Sequence, residues 1–264
     1  YDDENADAAE AIIGTISGTS ISFGTPVAFD TAPTYLRVTF NSSTGKVVAA
    51  YRDGDNSGYG TAVVGTISGT TISFGTPVVF NSAESRYMAM DSADGSNVVI
   101  VYRGSSGYGH GRVGAISGTS ISFGSATAIM NSNNKFEFSA VTYDSNADKV
   151  LISYHGDSNY GYSAVGTISS TSISFGTPAQ FNGTSVLYTS DSRSVSSAFD
   201  PNTNQVAIGF IDNSDSAKCK VVMGTISGTS VSFGSVATAN SGDCAYHSVQ
   251  YHLAGEKVVV ANRN

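Results

Sequence analysis

The stretch VVGTISGTTISFGTPVVF, residues 63–80, returns in nearly the same letters four more times along the chain. Its third-position glycine recurs as Gly14, Gly65, Gly114, Gly166 and Gly224, so that successive copies lie 51, 49, 52 and 58 residues apart. Tandem repeats of this length are typical of architectures in which one supersecondary unit cannot bury a core by itself. The five copies are therefore expected to build a single domain over residues 1–264.

Each repeat contains four apolar or β-branched runs separated by turn residues, which predicts four strands. In the second copy these strands, called a to d, are YLRVTF (35–40), KVVAAY (46–51), GTAVVGTIS (60–68) and TISFGTPVVF (71–80). Strand b is apolar on both faces, which favours an interior position. Strand d carries a proline in three copies, which favours an outer edge, because proline lacks the N–H that a ladder needs. Strand a is rich in Ser and Thr, which suits the wall of a narrow central channel.

The two ends of the chain carry complementary halves of a repeat. The chain begins with strands c and d (Ala11 to Phe29) and ends with strands a and b, YHSVQYHL and KVVVANR. Pairing of residues 257–261 with residues 11–16 would complete a fifth sheet and leave no open edge. The sequence thus predicts an all-β, five-bladed β-propeller with four antiparallel strands per blade, closed by its termini. An open solenoid is the alternative.

The predicted blades follow from these boundaries. They span residues 34–80, 85–130, 135–181 and 189–240, with a closing blade made of residues 246–264 plus 9–30. The conserved-looking hairpin GTISGT[ST]ISFG is expected to be scaffold, with its Phe (Phe23, Phe74, Phe123, Phe175, Phe233) packing between neighbouring blades.

Charge and composition exclude some partners. The formal net charge is -8 and only 13 residues are Lys or Arg, which argues against nucleic acid. No apolar run is long enough to cross a membrane, so no membrane insertion is expected. No basic, apolar leader precedes Tyr1, which suggests a processed product or a domain cut from a longer chain.

The b–c loops and the d–a connections should emerge on one face and carry the differences between repeats. A cation directly follows strand b, and a Tyr beside Gly follows a few residues later. The candidate ligand-binding residues are Arg52, Asp53, Tyr59, Arg103, Tyr108, His155, Asp157, Tyr160 and Arg263. A planar cation beside an aromatic ring suits sugar recognition. The alternative is structural: the Tyr packs over the blade edge, and the Arg pairs with a neighbouring Asp.

Catalytic and metal-binding patterns are weak. The loop DGDNSG (53–58) resembles the start of a calcium loop but lacks the distal Glu, so no cofactor is expected, with calcium as the alternative. The five glutamates (Glu4, Glu10, Glu84, Glu137, Glu256) occupy no equivalent place in the repeats, and the four histidines (His110, His155, His247, His252) lack metal-ligand spacing. The sequence therefore predicts that the protein is not an enzyme.

The two cysteines lie at the same end of one c–d hairpin. Antiparallel pairing about its turn puts Cys219 opposite Thr238, and a folded-back loop could bring Cys244 within reach. A disulfide between Cys219 and Cys244 is therefore predicted, and it would indicate an oxidising exterior.

The segment VVAAYRDGDNSGYGTAVVGTISGTTISFGTPVVF (47–80) resembles the repeats, about 50 residues long, of uncharacterised tail-fibre-like and surface proteins of marine bacteriophages and bacteria. In blade number the chain is also similar to tachylectin-type lectins, although their Trp-containing motif is absent and no sugar-binding residue transfers. The resemblance implies an extracellular or virion-surface setting. It suggests a non-catalytic recognition module that binds a cell-surface glycan or another host receptor, with other virion proteins as further candidate partners. The alternative is a structural or decoration domain of a phage virion, in a tail fibre or capsid, without ligand binding.

Overall fold

The computed structural model describes residues 8–130, 135–186 and 195–263. Within these ranges the chain forms four consecutive antiparallel sheets, preceded and followed by two-strand pairs. The described part of the chain contains no helix long and apolar enough to cross a membrane. The predicted loop at residues 1–7, the start of the fourth repeat at 189–194, and Asn264 lie outside the described residues.

The strands run in chain order through six units. The leading half-blade contains β1 (Ala9–Ala11), β2 (Gly14–Ser17), β3 (Ser20–Phe23) and β4 (Val27–Asp30). Blade 1 contains β5 (Pro33–Asn41), β6 (Lys46–Asp53), β7 (Tyr59–Ser68), β8 (Thr71–Phe74) and β9 (Val78–Glu84). Blade 2 contains β10 (Arg86–Ser92), β11 (Asn97–Arg103), β12 (Gly109–Ser117), β13 (Ser120–Phe123) and β14 (Thr127–Ala128).

The second half of the chain repeats the pattern. Blade 3 contains β15 (Glu137–Asp144), β16 (Lys149–His155), β17 (Gly161–Ser169), β18 (Ser172–Phe175) and β19 (Ala179–Gln180). Blade 4 contains β20 (Val195–Asp200), β21 (Gln205–Asp212), β22 (Lys218–Ser227), β23 (Ser230–Phe233) and β24 (Ala237–Asp243). The trailing half-blade contains β25 (Tyr246–His252) and β26 (Lys257–Arg263). Short 3₁₀ turns lie at Asp157–Asn159, Asn213–Asp215 and Leu253–Gly255.

The predicted strand d is in fact two segments. In blade 1, β8 and β9 both pair with β7, and the break between them falls at Gly75–Thr76–Pro77. Pro77 has no N–H to donate, but blades 2 and 4 have the same break at 124–126 and 234–236 without a proline, so the break is a feature of the repeat. The Gly75 N–H still donates to the Val64 carbonyl at 2.9 Å, which keeps the two segments along the same edge.

The hydrophobic core lies between the blades rather than within any one of them. One cluster joins Val48 and Ala50 of blade 1 to Ile100 and Tyr102 of blade 2. The rings of the repeated Phe also bridge neighbouring units: the ring centroids of Phe123 and Phe80 are 5.5 Å apart. A blade is therefore covered by its neighbours on both faces.

A repeated glycine contact joins the outer edges of neighbouring units. The glycine that follows SISF abuts the Thr carbonyl in the hairpin turn of the next blade, and a Cβ there would overlap that oxygen. The four glycine–threonine contacts are Gly24 with Thr70, Gly75 with Thr119, Gly124 with Thr171, and Gly176 with Thr229. Only glycine allows so close an approach of two backbones.

The predicted closure of the ring is not formed. Among the described residues, β26 pairs with β25 alone, and β1 and β2 pair with β4 and β3, so residues 257–261 do not pair with residues 11–16. The leading half-blade contacts blade 1 where Gly24 lies against the Thr70 carbonyl. The trailing half-blade packs against blade 4 through Val258 and Val260. Strands a of blades 1 to 4 and of the trailing half-blade line one cavity, so the units follow a propeller-like arc. Among the described residues the two half-blades are not paired into a fifth blade.

A disulfide joins Cys219 and Cys244, whose Cα atoms are 5.6 Å apart. The pairing partner of Cys219 is Asn240, not Thr238, because two register shifts interrupt the ladder between β22 and β24. The shifts carry the chain toward Cys244, whose N–H donates to the Ala217 carbonyl at 2.9 Å. Both cysteines are buried.

Candidate functional site

The structure brings the predicted cations to one register position in successive sheets. Each lies at the end of a b strand, opposite the start of strand a in the same sheet. The pairs are Thr34 with Arg52, Arg86 with Arg103, Glu137 with His155, and Tyr246 with Arg263. These positions lie at the inner end of the b–c loop face, which is called the loop face below.

The cations bind glutamates that lead into the next blade, not neighbouring aspartates. Arg52 Nη2 lies 3.3 Å from Glu84 Oε1, and Arg86 Nη2 lies 2.6 Å from the same oxygen. Arg103 Nη1 lies 2.6 Å from Glu137 Oε1. Glu137 stands at the register position of Arg86, two residues beyond that of Glu84, so the two glutamates occupy non-equivalent places, as the sequence predicts, although each binds a cation at the end of a b strand. The signal that could have found them is a Glu within two residues of the start of the next strand a.

His155 lies beneath this surface. Its side chain is fully buried, and its Nδ1 lies 3.6 Å from Glu137 Oε2. Burial raises the pKa of Glu137, but the interactions with His155 and with the charge of Arg103 outweigh it and hold that pKa below its usual value. In blade 1, the hydrogen bond from Arg86 likewise lowers the pKa of Glu84. Both glutamates are therefore held ionised, and His155 supports Glu137 from inside the protein.

A row of three aromatic rings crosses blades 1 to 3 beside these ion pairs. It consists of Tyr35, Tyr87 and Phe138, each directly after the strand a residue that pairs with Arg52, Arg103 or His155. The centroids of Tyr35 and Tyr87 are 5.5 Å apart, and those of Tyr87 and Phe138 are 5.0 Å apart. The guanidinium carbon of Arg103 lies 5.6 Å from the Tyr87 centroid. We call this group the aromatic row.

The backbone of the aromatic row is strained. Tyr35, Tyr87 and Phe138 have φ values of 53°, 50° and 47°, and each sits in a register shift of its ladder. Left-handed φ is uncommon for bulky residues, and such strain clusters at ligand-binding sites. The bulge is what turns these rings toward one another across blades. Sequence reasoning missed them, although an aromatic residue at the second position of strand a in TYL, RYM and EFS was a visible signal.

The three predicted tyrosines lie farther out along the loops. Tyr59, Tyr108 and Tyr160 are half-buried at or just before the start of strand c. The carbonyls of Tyr108 and Tyr160 accept the N–H groups of Gly104 and Gly156, each at 2.9 Å. Their backbones thus close the b–c loops, and none of the three belongs to the aromatic row.

The two predicted aspartates accept backbone hydrogen bonds. Asp53 Oδ1 accepts the Asn56 N–H at 3.1 Å, and burial together with the charge of Asp30 raises the pKa of Asp53. Asp157 Oδ1 accepts the Lys135 N–H at 2.8 Å. Across residues 8–130, 135–186 and 195–263, no group of three or more His, Cys, Asp or Glu side chains could hold a metal ion.

The b–c loop of blade 4 contains ion pairs between its own residues. Asp215 lies 2.7 Å from Lys218 Nζ and 2.6 Å from Lys220 Nζ, so the charges are paired within one loop. In blades 1 and 2 the corresponding charges pair across two blades. At the far end of the face, the guanidinium carbon of Arg263 lies 5.5 Å from the Tyr246 centroid. The charged pattern of the loop face is therefore strongest between blades 1 and 3.

A cavity lies at the other end of the inner strands. It measures about 520 Å³ and is lined by strand a residues that include Asp91, Thr142, Ser197 and Gln250. Asp91 Oδ2 accepts the Tyr143 N–H at 2.9 Å, and burial raises the pKa of Asp91. The cavity is the polar channel expected from the composition of strand a, and it opens near the a–b turns.

The comparisons with known proteins identify the fold. A putative 6-phosphogluconolactonase from Bacteroides uniformis is 9% identical, with a TM-score of 0.66 over 98% of this chain and 72% of that chain. An arginine-to-alanine triple mutant of AofleA from Arthrobotrys oligospora is 11% identical, with a TM-score of 0.59 over 98% and 80%. Aleuria aurantia lectin in complex with Fucα1-6GlcNAc is 11% identical, with a TM-score of 0.47 over 88% and 79%. No model of a known protein family matches the chain, and neither does any curated protein.

The lactonase match corrects the prediction that the protein is not an enzyme. That prediction is contradicted because the same fold occurs in a protein described as a putative 6-phosphogluconolactonase. At 9% identity the likeness extends to the fold alone and transfers no catalytic residue. The arrangement of repeated antiparallel sheets therefore does not exclude catalysis.

Proposed function

We propose that the protein recognises carbohydrate through the loop face, with sugar rings lying on the aromatic row. The observation that carries this proposal is the strained row Tyr35, Tyr87 and Phe138, bordered by guanidinium groups. Aromatic faces cover the C–H surface of a sugar, and guanidiniums bond its oxygens. The row crosses three blades, so it suits an extended polysaccharide better than a single monosaccharide.

The charge balance favours a sugar that carries carboxylate or sulfate groups. Three guanidiniums, those of Arg52, Arg86 and Arg103, face only two carboxylates, those of Glu84 and Glu137. The Arg86 side chain is also 49% exposed, so it can shift toward a ligand. Guanidinium matches carboxylate and sulfate oxygens with two parallel hydrogen bonds.

We further propose an extracellular or virion-surface location, with a host-surface glycan as the partner and no bound cofactor. The disulfide between Cys219 and Cys244 supports an oxidising compartment, since such bonds persist outside the cytosol. A bacteriophage setting remains part of this proposal on the resemblance of the repeats alone.

The test is binding of polysaccharides by isothermal titration calorimetry, with uronate-containing, sulfated and neutral chains of equal length. We expect acidic chains to bind, and Arg86→Ala and Tyr87→Asn each to weaken binding about tenfold. Asn tolerates the left-handed backbone at position 87, so the fold should survive. Lys149→Ala is the matched control, because it removes one positive charge beside the opposite, a–b turn face.

Two results would contradict the proposal. One is an absence of binding to every polysaccharide at millimolar concentration, which would favour a structural role. The other is an equal loss of affinity in Lys149→Ala and Arg86→Ala, since that would indicate attraction by overall charge rather than a site on the loop face.

A further inference from the structure

A basic residue in blade 2 occupies a position that is apolar in the other three blades. Arg112 lies two residues before the repeated glycine Gly114, and the same position holds Val63 in blade 1, Ala164 in blade 3 and Val222 in blade 4. Those three side chains are buried. Arginine is almost never fully buried without a partner. Arg112 therefore departs from the packing that the repeat uses elsewhere.

Arg112 lies on the face of blade 2 that meets blade 1. It pairs with Ile100 across β11 and β12, so the two side chains are on the same side of the sheet. Ile100 is buried in the cluster that joins the two blades, together with Ala62 and Phe80 of blade 1. Arg112 itself is only partly buried. Its side chain thus runs from an apolar interface toward solvent.

The guanidinium of Arg112 lacks a counter-charge. Its Nε atom is buried and has no hydrogen-bond partner. Among the described residues no carboxylate forms an ion pair with it. It does hydrogen-bond the Tyr102 hydroxyl, and this bond and the charge of Arg112 oppose the burial that raises the pKa of Tyr102. A neutral hydroxyl does not balance a cation, and a partly buried charge without a counter-ion is costly.

His110 adds a second basic side chain beside Arg112. The two are two residues apart on β12 and so lie on one face of the strand. The His110 ring stacks on the Tyr102 ring, with centroids 5.7 Å apart, and its Nδ1 lies 3.2 Å from the Tyr108 carbonyl oxygen. Because a carbonyl only accepts hydrogen bonds, Nδ1 carries a proton, which leaves Nε2 for another partner.

The b–c loop of blade 2 supplies no acidic residue to this pair. The other three loops of the complete blades contain aspartates, whereas GSSGYG, residues 104–109, contains none. Blade 4 shows the difference directly. Its Lys220 occupies the position of His110, and Asp215 neutralises it at 2.6 Å. In blade 2 the positive charge is left for a ligand.

We propose that Arg112 and His110 bind a small tetrahedral oxyanion, phosphate or sulfate, at the junction of blades 1 and 2. The planar guanidinium matches pairs of phosphate or sulfate oxygens, and the ion supplies the negative charge that the described residues do not. Protonated His110 can donate from Nε2, and an anion beside it favours that charged state. The site uses no residue of the aromatic row, so the proposal does not depend on glycan binding.

The imidazole resonances of the protein report binding at this position directly. Sodium sulfate or sodium phosphate, compared with sodium chloride at equal ionic strength, should shift the His110 resonance with saturation in the millimolar range. His252, which is exposed in the trailing half-blade, is the internal control and should not shift. A His110 resonance that does not move, or that chloride moves equally, would overturn the proposal.

A sulfated disaccharide as a third titrant distinguishes two sources of the anion. Affinity equal to that of inorganic sulfate would assign the site to a sulfate group carried by a larger ligand. Weaker binding would assign it to the free ion. Both results support the oxyanion site, since in each the sulfate group occupies it.

Arg112→Val separates binding from a purely structural role. Valine is the residue of blades 1 and 4, so the variant should fold. We expect it to weaken the sulfate-dependent shift of His110 about tenfold or more. Its melting temperature should also rise less than that of the native chain when sulfate replaces chloride at equal ionic strength. Lys149→Ala removes a positive charge at the a–b turn face and should keep the full response.

Two results with these variants would overturn the proposal. One is a sulfate response of Arg112→Val equal to that of the native chain. The other is a loss of stability in Arg112→Val that is the same in sulfate and in chloride, which is the result expected if Arg112 only covers apolar surface.

Discussion

The inner blades and the half-blades at the ends have nearly the same hairpin sequence but very different burial. The second residue of the strand, Ile72, Ile121, Ile173 or Val231, is buried in blades 1 to 4, whereas the first copy, Ser20–Phe23, is exposed at every residue. Burial in this molecule is therefore set by the neighbouring blade and not by the residue. Stability should accordingly reside in the blade interfaces, as in other repeat arrays.

The largest expected difference lies between two glycines of the same motif. Gly124→Val should destabilise the fold by about 4 kcal/mol, because the new side chain would overlap the Thr171 carbonyl in the backbone of blade 3. Gly234→Val should change stability by less than about 0.5 kcal/mol, because a Cβ at Gly234, which follows SVSF in blade 4, would meet nothing nearer than the Met223 carbonyl at 3.8 Å. Urea denaturation of dilute protein measures both. Equal losses of unfolding free energy in the two variants would contradict the claim that contact with the neighbouring blade distinguishes the two positions.

A buried and an exposed isoleucine give the next largest difference. Ile121→Ala should cost about 3 kcal/mol, since it removes packing between blades 1 and 2. Ile21→Ala should cost less than about 0.5 kcal/mol in the monomer, because no blade covers that position. The check is the free energy of unfolding from chemical denaturation. A large loss in Ile21→Ala at low concentration would mean that the leading end is already covered within one chain.

The disulfide sharpens the comparison at blade 4, the last complete blade before the trailing end. Replacing Cys219 and Cys244 together by Ser should cost about 2 kcal/mol, because the bond closes a loop of sequence separation 25. Amide exchange should then rise in β22 and β24, with β12 of blade 2 unaffected as the internal control. Uniform loss of protection over all blades would show that the bond does not act locally.

The smallest expected effect is a pH dependence at the junction of blades 2 and 3. The folded pKa of Glu137 is lowered, so its contribution to stability is present above the unfolded value of about 4.3 and is lost as the pH falls through the folded pKa. Glu137→Gln should flatten the fall in melting temperature between neutral and acid pH. Glu256→Gln, at an exposed position of the trailing half-blade, is the control and should leave the profile unchanged. Identical profiles for both variants would contradict the role given to Glu137.

Much of the sheet structure could be predicted from the sequence because strands a, b and c depend on local patterns. KVVAAY predicts an interior strand through its two apolar faces, and Lys46–Asp53 is one. The pairs that join Arg52 to Glu84 and Arg103 to Glu137 could not be predicted, since Arg52 and Glu84 are 32 residues apart in the chain, and Arg103 and Glu137 lie in different blades. The aromatic row depends on a bulge with left-handed φ values, and the alternation of apolar and polar residues along the strand does not predict such a bulge. Closure was wrongly expected because the repeat length does not specify the angle between blades.

The central claim, that burial is set by the neighbouring blade and not by the residue, is tested most directly by hydrogen exchange in two strands of nearly the same sequence, β6 and β26. We predict slow exchange of the amides of β6 (Lys46–Asp53), which other blades cover, and fast exchange of those of β26 (Lys257–Arg263) in the trailing half-blade. Equally slow exchange in the two strands would contradict the account.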